Sequence, residues 1–314
     1  MQGLARPVPL LVAGWSALAL AWVVSNPPFA APDEANHYYR AIAVGEGHLV
    51  GPKASYMPAP GEADQRVRWL DQAARTVEVP ARLVPPDPGC YVYQPDLSAA
   101  CIEGFGAPPA AVAVTTTVGT YQPLPYVLPG LALKAGDSPA QAVRLARLAG
   151  ALLALALLAL AAAAAWDPRA PGLSLLGPAL AVTPMAIFCA GILNGSSLEI
   201  SAGVAFVACL LRLGRDESPR AWTWAGAGAA GLLLAMSRSA APAWIALALA
   251  VAVALHGPRE SWRKLRRGGR AAAFASAALA TGLVANRAWE AAYGPEVPAG
   301  LTAARLALEE AVDT

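Results

Sequence analysis

Seven apolar stretches, most of them rich in alanine and leucine, organise this chain: Val8–Val24, Val143–Trp166, Gly172–Leu193, Ser197–Leu211, Trp222–Met236, Ala240–Leu255 and Ala271–Ala285. Most approach the roughly 17–25 residues needed to cross a hydrocarbon core. They predict an all-α, polytopic membrane bundle of about seven spans. The composition agrees: 56% of the 314 residues are hydrophobic, only 14% are charged, and the mean hydropathy is +0.45, too apolar for an ordinary soluble domain.

Charge then orients the bundle. Short loops rich in Lys and Arg stay in the cytoplasm, and the strongest is "HGPRESWRKLRRGGR", His256–Arg270, with six basic residues against one acid. "RLGRDESPR", Arg212–Arg220, adds three arginines. An eighth apolar segment, "YQPLPYVLPGLALKAG" (Tyr121–Gly136), would throw both basic loops outside if it crossed. The charge rule, and its prolines at 123, 125 and 129, make it an amphipathic or re-entrant helix at the outer surface. The first run has Arg6 before it but no small-residue cleavage site after it, so it reads as a retained helix and not a secretory signal. The resulting division is a first span at 1–25, a large extracytoplasmic loop at 26–142, a bundle of about six spans at 143–288 and an outer tail at 289–314. The N-terminus is expected in the cytoplasm and the protein in the plasma membrane.

A net charge of +2 says nothing about nucleic acid, but no basic stripe interleaved with aromatics appears outside the 256–270 loop, so a nucleic-acid partner is set aside. Cys90 and Cys101 lie in the outer loop, where an oxidising compartment favours a disulfide between them. Cys189 and Cys209 lie in spans and read as small apolar residues, and no zinc spacing is present.

The candidate chemistry gathers on the outer face. In "SNPPFAAPDEANHYYR" (Ser25–Arg40), Asp33, His37 and Arg40 fall at i, i+4 and i+7 and share one helix stripe, with Glu34, Tyr38 and Ala41 on its neighbour. Asp33 can cap the helix, with Glu34 favourable in its first turn; capping leaves the His and Arg on that stripe unexplained. Arg238 sits in a very short connection between apolar helices, where a guanidinium marks a functional site or a paired acid, unless it snorkels to headgroups. "ILNGSSLEIS" places Asn194 and Glu199 at the same face, the acid about one turn into its helix. Lys134, Arg144 and Arg147 follow the re-entrant segment, placed to hold a phosphate or to touch headgroups. Together these residues describe a cation-lined, acid-bearing pocket suited to a phosphate-linked lipid. Asp33 and Glu34 alone are a weak signal for a divalent ion, so no metal or other cofactor is assigned.

Several stretches, in order, carry a resemblance: "NPPFAAPDEANHYYRA", "YQPLPYVLPGLAL" followed by "RLARLAG", "TPMAIFCAGILNGSSL" and "MSRSAAPAWIALAL". Over nearly the whole chain they resemble the predicted membrane proteins grouped as domain of unknown function 2142, which look like members of the GT-C glycosyltransferase superfamily. The resemblance implies a GT-C-like fold and an enzyme that transfers sugar from a polyprenyl-phosphate donor to a cell-envelope glycan or lipid acceptor among membrane lipids. It makes Asp33 the general base, with Glu34 as the alternative, and implies that basic residues near the outer face bind the donor phosphate; the substrate-binding candidates remain the residues read above, His37, Arg40, Lys134, Arg144, Arg147, Asn194, Glu199 and Arg238. Two departures stand out: Asn194-Gly195-Ser196 replaces an Asn-Pro-Asp-like turn, and the chain stops at "LTAARLALEEAVDT" where family members are usually longer, as a truncated or shortened relative would. The competing readings are a transporter or flippase, for which the sequence offers no internal repeat, and a non-catalytic envelope scaffold, in which Arg238 would be idle.

Overall fold

The computed structural model describes residues 7–58, 64–85, 87–91, 94, 96–103 and 108–294. It is mostly helical. Helix α1 (Pro7–Ser25) stops at Asn26-Pro27-Pro28, where two residues without an N–H end the hydrogen-bond ladder. The first loop then builds α2 (Glu34–Gly45) and α3 (Asp64–Ala73). It also builds a two-stranded antiparallel sheet from β1 (Arg75–Val79) and β2 (Val112–Thr116), in register from Arg75 opposite Thr116 to Val79 opposite Val112. The sequence reading, which was all-α, had no strands here. Each strand is only five residues long, and their pairing is a non-local contact that no short-range pattern announces.

Helix α4 (Leu124–Leu133) covers the segment whose crossing was in question. Ten residues span about 15 Å, half a hydrocarbon core. It lies against α2, where Gly45 and Gly130 meet so closely that a Cβ on either would overlap the other's backbone. Helix α5 (Pro139–Ala165) starts crisply, with Pro139 at its first position and the Ser138 hydroxyl accepting from the Gln141 amide.

The run Gly172–Leu193 is broken into α6 (Pro171–Ser174), α7 (Leu176–Ala181) and α8 (Pro184–Gly191), because Pro171, Pro178 and Pro184 recur through it. The bundle is completed by α9 (Ser196–Arg215), α10 (Ala221–Ala235), α11 (Ala241–His256), α12 (Pro258–Arg267) and α13 (Gly269–Tyr293). Among the described residues, α1, α5 and α9 are long and apolar enough to cross a membrane. The number rises to five if the bent pairs α6/α7 with α8 (61°) and α11 with α12 (104°) each count as one span. Against the seven expected, α10 falls short at 15 residues, and α13 mixes Asn286, Arg287 and Glu290 into its apolar run.

Small residues hold the bundle together. Gly228 of α10 meets Ala275 of α13, Gly231 of α10 meets Phe206 of α9, and Gly282 of α13 meets Ala235 and Leu232 of α10. Such contacts let helices approach closely where burial of apolar surface supplies little driving force. At one end, the first loop joins this core: Tyr38, Ile42, Val77, Leu83 and Tyr126 pack with Val143 and Ala146 of α5 and with Leu193. Helix α13 runs through the expected boundary at 289 to Tyr293, and the rest of that tail, 295–314, lies outside the described residues.

Candidate functional site

Glu34 and Arg147 form a closed clasp at the junction of loop and bundle. Both side chains are fully buried. Arg147 donates from Nε to Glu34 Oε1 at 2.7 Å and from Nη2 to Oε2 at 2.5 Å. Its remaining N–H groups reach the carbonyls of Asn26 at 2.6 Å, Pro27 at 2.9 Å and Val23 at 3.4 Å, which the proline stop leaves without helical partners. Glu34 Oε1 also accepts from the Leu193 amide at 2.9 Å. One ion pair thus ties α1, α2, α5 and the α8–α9 break together. Every donor of Arg147, expected beside a phosphate, and both oxygens of Glu34, expected as the alternative base, are thus engaged within the fold.

Asp33, next door, is the opposite case. It sits at the N-cap of α2 with left-handed backbone angles (φ 57°, ψ 9°). Aspartate tolerates that region better than most residues, and strain of this kind collects at functional sites. Its carbonyl accepts the first helical bond, from the His37 amide at 3.1 Å, but its carboxylate makes no capping bond and is exposed. The backbone caps the helix, and among the described residues the acid has no partner.

Along the stripe, burial deepens from Asp33 to His37 to Arg40. His37 Nδ1 is 2.8 Å from the Tyr126 hydroxyl, and the two rings stack. Burial, helped by the positive charge of Arg238, lowers the His37 pKa from its ordinary 6.5 to about 4, so the ring is neutral near pH 7. Arg40 is 1% exposed and donates to the carbonyls of Leu49 and Tyr121, both at 2.6 Å. Burial pulls its pKa down to about 10, and its guanidinium lies 5.9 Å from the ring centres of Tyr126 and Trp289.

Beside this stripe opens a small crevice of about 130 Å³, lined by Trp69, Tyr121, Gln122, Arg238, Ser239 and Glu290 among others. Arg238 donates to the Ser196 hydroxyl at 2.8 Å and lies 5.2 Å from the Tyr121 ring centre. Among the described residues no carboxylate pairs with it. Glu290 accepts from Gln122 Nε2 at 3.3 Å, and burial raises its pKa. Trp289 Nε1 donates to the Thr120 carbonyl at 2.8 Å, docking the end of α13 beside the loop. A cation, a carboxylate with a raised pKa, two hydroxyls and aromatic walls can hold a polar, partly anionic ligand.

The other residues singled out in the sequence stay outside this group. Asn194 spends its amide locally: Oδ1 accepts from the Ser196 and Ser197 amides at 2.7 and 2.8 Å, and Nδ2 donates to the Cys189 carbonyl at 2.7 Å. It caps α9. Glu199 accepts from Trp244 Nε1 at 3.0 Å and lines an apolar cleft between α9 and α11; among the described residues no arginine pairs with it. Lys134 pairs with Glu46 at 3.4 Å, at the far end of α4 from Tyr126, and Arg144 is exposed on α5. Sequence reasoning missed Tyr121, Gln122 and Tyr126, although "YQPLPY" sets polar aromatics in an otherwise apolar segment. It also missed Trp289 and Glu290, which were read as tail.

Cys90 and Cys101 form a disulfide, with Cα atoms 6.3 Å apart. Among the described residues no three His, Cys, Asp or Glu side chains come together as metal ligands.

Comparison with known families adds one match. The model of the family described as "Predicted membrane protein (DUF2142)" matches residues 17–306, more than nine-tenths of the chain. This chain belongs to that family. The match embraces the Asp33 stripe, the clasp and the crevice alike, so all three lie within the family's common region. No curated protein and no solved structure matches the chain.

Proposed function

We propose that this membrane protein is a glycosyltransferase of the GT-C kind. It takes a sugar from a polyprenyl-phosphate donor and passes it to a cell-envelope glycan or lipid on the outer face of the plasma membrane, with its N-terminus in the cytoplasm. The observation that carries the reading is the contrast at Asp33 and Glu34: one carboxylate is locked into the fold, and its neighbour is exposed, on strained backbone and without a partner among the described residues.

In this reading Asp33 accepts the proton of the acceptor hydroxyl as that oxygen bonds to the anomeric carbon. The bond from that carbon to the phosphate oxygen breaks, and polyprenyl phosphate leaves with the electron pair. Arg238 meets the phosphate, since its guanidinium is held by a single serine hydroxyl and an aromatic face and retains donors for an anion. His37, neutral and buried, orients Tyr126 and the stripe without adding charge.

The test is transfer of radiolabelled sugar from a polyprenyl-phosphate donor in proteoliposomes. Asp33→Asn should lower transfer by about a hundredfold or more, the usual scale for removing a general base, with unchanged thermal stability. Wild-type rates in that variant would remove Asp33 from the mechanism.

A further inference from the structure

The polar cluster occupies one end of the bundle; the opposite end carries a different surface. There α11 ends at Gly257 (φ 81°), and the chain bends by 104° into α12. Helix α12 has three separate faces. Lys264 points back into the protein, donating to the Asp216 carbonyl at 2.9 Å and to that of Gly214, and this fixes the rotation of the helix. Trp262 and Leu265, 60% and 37% exposed, lie on a second face. Arg259, Arg263 and Arg266 follow at i, i+4 and i+7 on the third, all exposed, and Arg270, also exposed, stands in the first turn of α13 just past the turn at Gly268–Gly269. The only acid on the helix is Glu260, paired with Arg263.

Next to α12 a cleft of about 810 Å³ runs between the end of α5, α7, α9 and α11. Its length is lined by small or apolar residues such as Gly177, Ala181, Gly203 and Val207. Its polar groups gather at the α12 end: Arg212, Arg215 and His256. Arg212 is engaged, by Asp216 at 3.1 Å and the Ala163 carbonyl at 3.0 Å. Arg215 pairs with Asp167 at 3.5 Å and Asp216 at 3.7 Å and donates to the carbonyls of Ala165 and Trp166 at 3.5 and 3.4 Å, so the free positive charge at this end is that of α12.

We infer that this end of the bundle is a binding site for an anionic phospholipid of the adjoining leaflet, with α12 lying in the headgroup plane and an acyl chain in the cleft along α9. Charge complementarity selects the occupant. A basic helix with an exposed tryptophan and leucine beside its arginines seats itself at an anionic interface, and each cation there contributes about 1 kcal/mol of attraction. An apolar trough that ends beside this basic helix, where Lys264 reaches the Gly214 and Asp216 carbonyls, matches one amphiphile with its phosphate at that end. An acidic protein would satisfy the arginines and leave the trough and Trp262 unused. The inference is independent of the sugar-transfer reading, since it shares no residue with the Asp33 stripe or the Arg238 crevice.

The test uses the full-length protein, delipidated in detergent and titrated with phosphatidylglycerol or phosphatidylcholine, with bound lipid counted by native mass spectrometry. Wild type should retain phosphatidylglycerol in preference. Substituting Arg259, Arg263, Arg266 and Arg270 by Gln should lower that preference by about fivefold per arginine at low salt. Gly177→Phe, at a position with open space around a Cβ, should reduce retention of both lipids by filling the trough. Thermal stability in phosphatidylcholine nanodiscs checks that both variants fold. Equal retention of the two lipids by wild type, or an undiminished phosphatidylglycerol preference in the four-arginine variant, overturns the inference. So does equal stabilisation by inorganic phosphate alone, which would make the site one for a free anion.

Discussion

Two charged sites a few residues apart in the fold are built on opposite principles. The Glu34–Arg147 clasp is sealed: both partners are fully buried and every donor on the guanidinium is used. The Arg238–Glu290 crevice is open: its cation holds one serine hydroxyl, its acid holds one glutamine amide, and space remains between them. Buried ion pairs of the first kind add little net stability over an apolar replacement, yet removing one partner is severe because it strands the other charge. The clasp therefore fixes geometry, and the crevice retains unspent hydrogen-bonding capacity for a ligand. Asp33 and Glu34, adjacent in sequence, fall on the two sides of this division.

The largest expected effect breaks the clasp. Arg147→Met should destabilise the protein by about 3–5 kcal/mol through the stranded Glu34 carboxylate, read as a fall in melting temperature in nanodiscs. Adding Glu34→Gln should recover part of the loss, and a double variant no better than the single would show that the pair does not act as a unit. Next, Tyr126→Phe leaves buried His37 Nδ1 without its partner and should destabilise by about 1–3 kcal/mol. Arg238→Gln removes one part-buried charged hydrogen bond, so its stability change should be about 1.5 kcal/mol, while donor binding is lost. A destabilisation equal to that of Arg147→Met would erase the distinction between sealed and open sites.

A further expected effect is one of pH. Because folding lowers the His37 pKa from 6.5 to about 4, the unfolded chain binds the proton more readily between those values. The stability linked to His37 is therefore complete above about pH 6.5 and falls as the pH drops toward 4. His37→Gln should flatten the melting temperature over that window; an unchanged slope would assign the pH dependence to other groups.

Much of this organisation was legible from residue spacing. The i, i+4, i+7 pattern put Asp33, His37 and Arg40 on one stripe and Glu34 with Tyr38 on the next, and α2 has that arrangement. The charge rule and prolines marked Tyr121–Gly136 as unlike the other apolar runs, and α4 is a ten-residue helix packed on α2. The sheet escaped because β1 and β2 are joined across more than thirty residues, beyond any local signal. The span count fell because periodic proline in 171–184 bends an apolar stretch that hydropathy alone reads as continuous.

The sequence by itself determined the membrane class, since apolar runs of this length have no other stable solution, and it determined which residues share a helix face, since helical spacing is a local property. Which face turns inward was decided by tertiary structure alone. Arg147 could be a surface cation or a buried one until the prolines after α1 freed the carbonyls of Asn26 and Pro27 to surround it. Likewise, only the docking of α13 beside Thr120 brought Glu290 opposite Arg238. Saturation and openness depend on what several distant segments leave unsatisfied, and that balance exists only once they have packed.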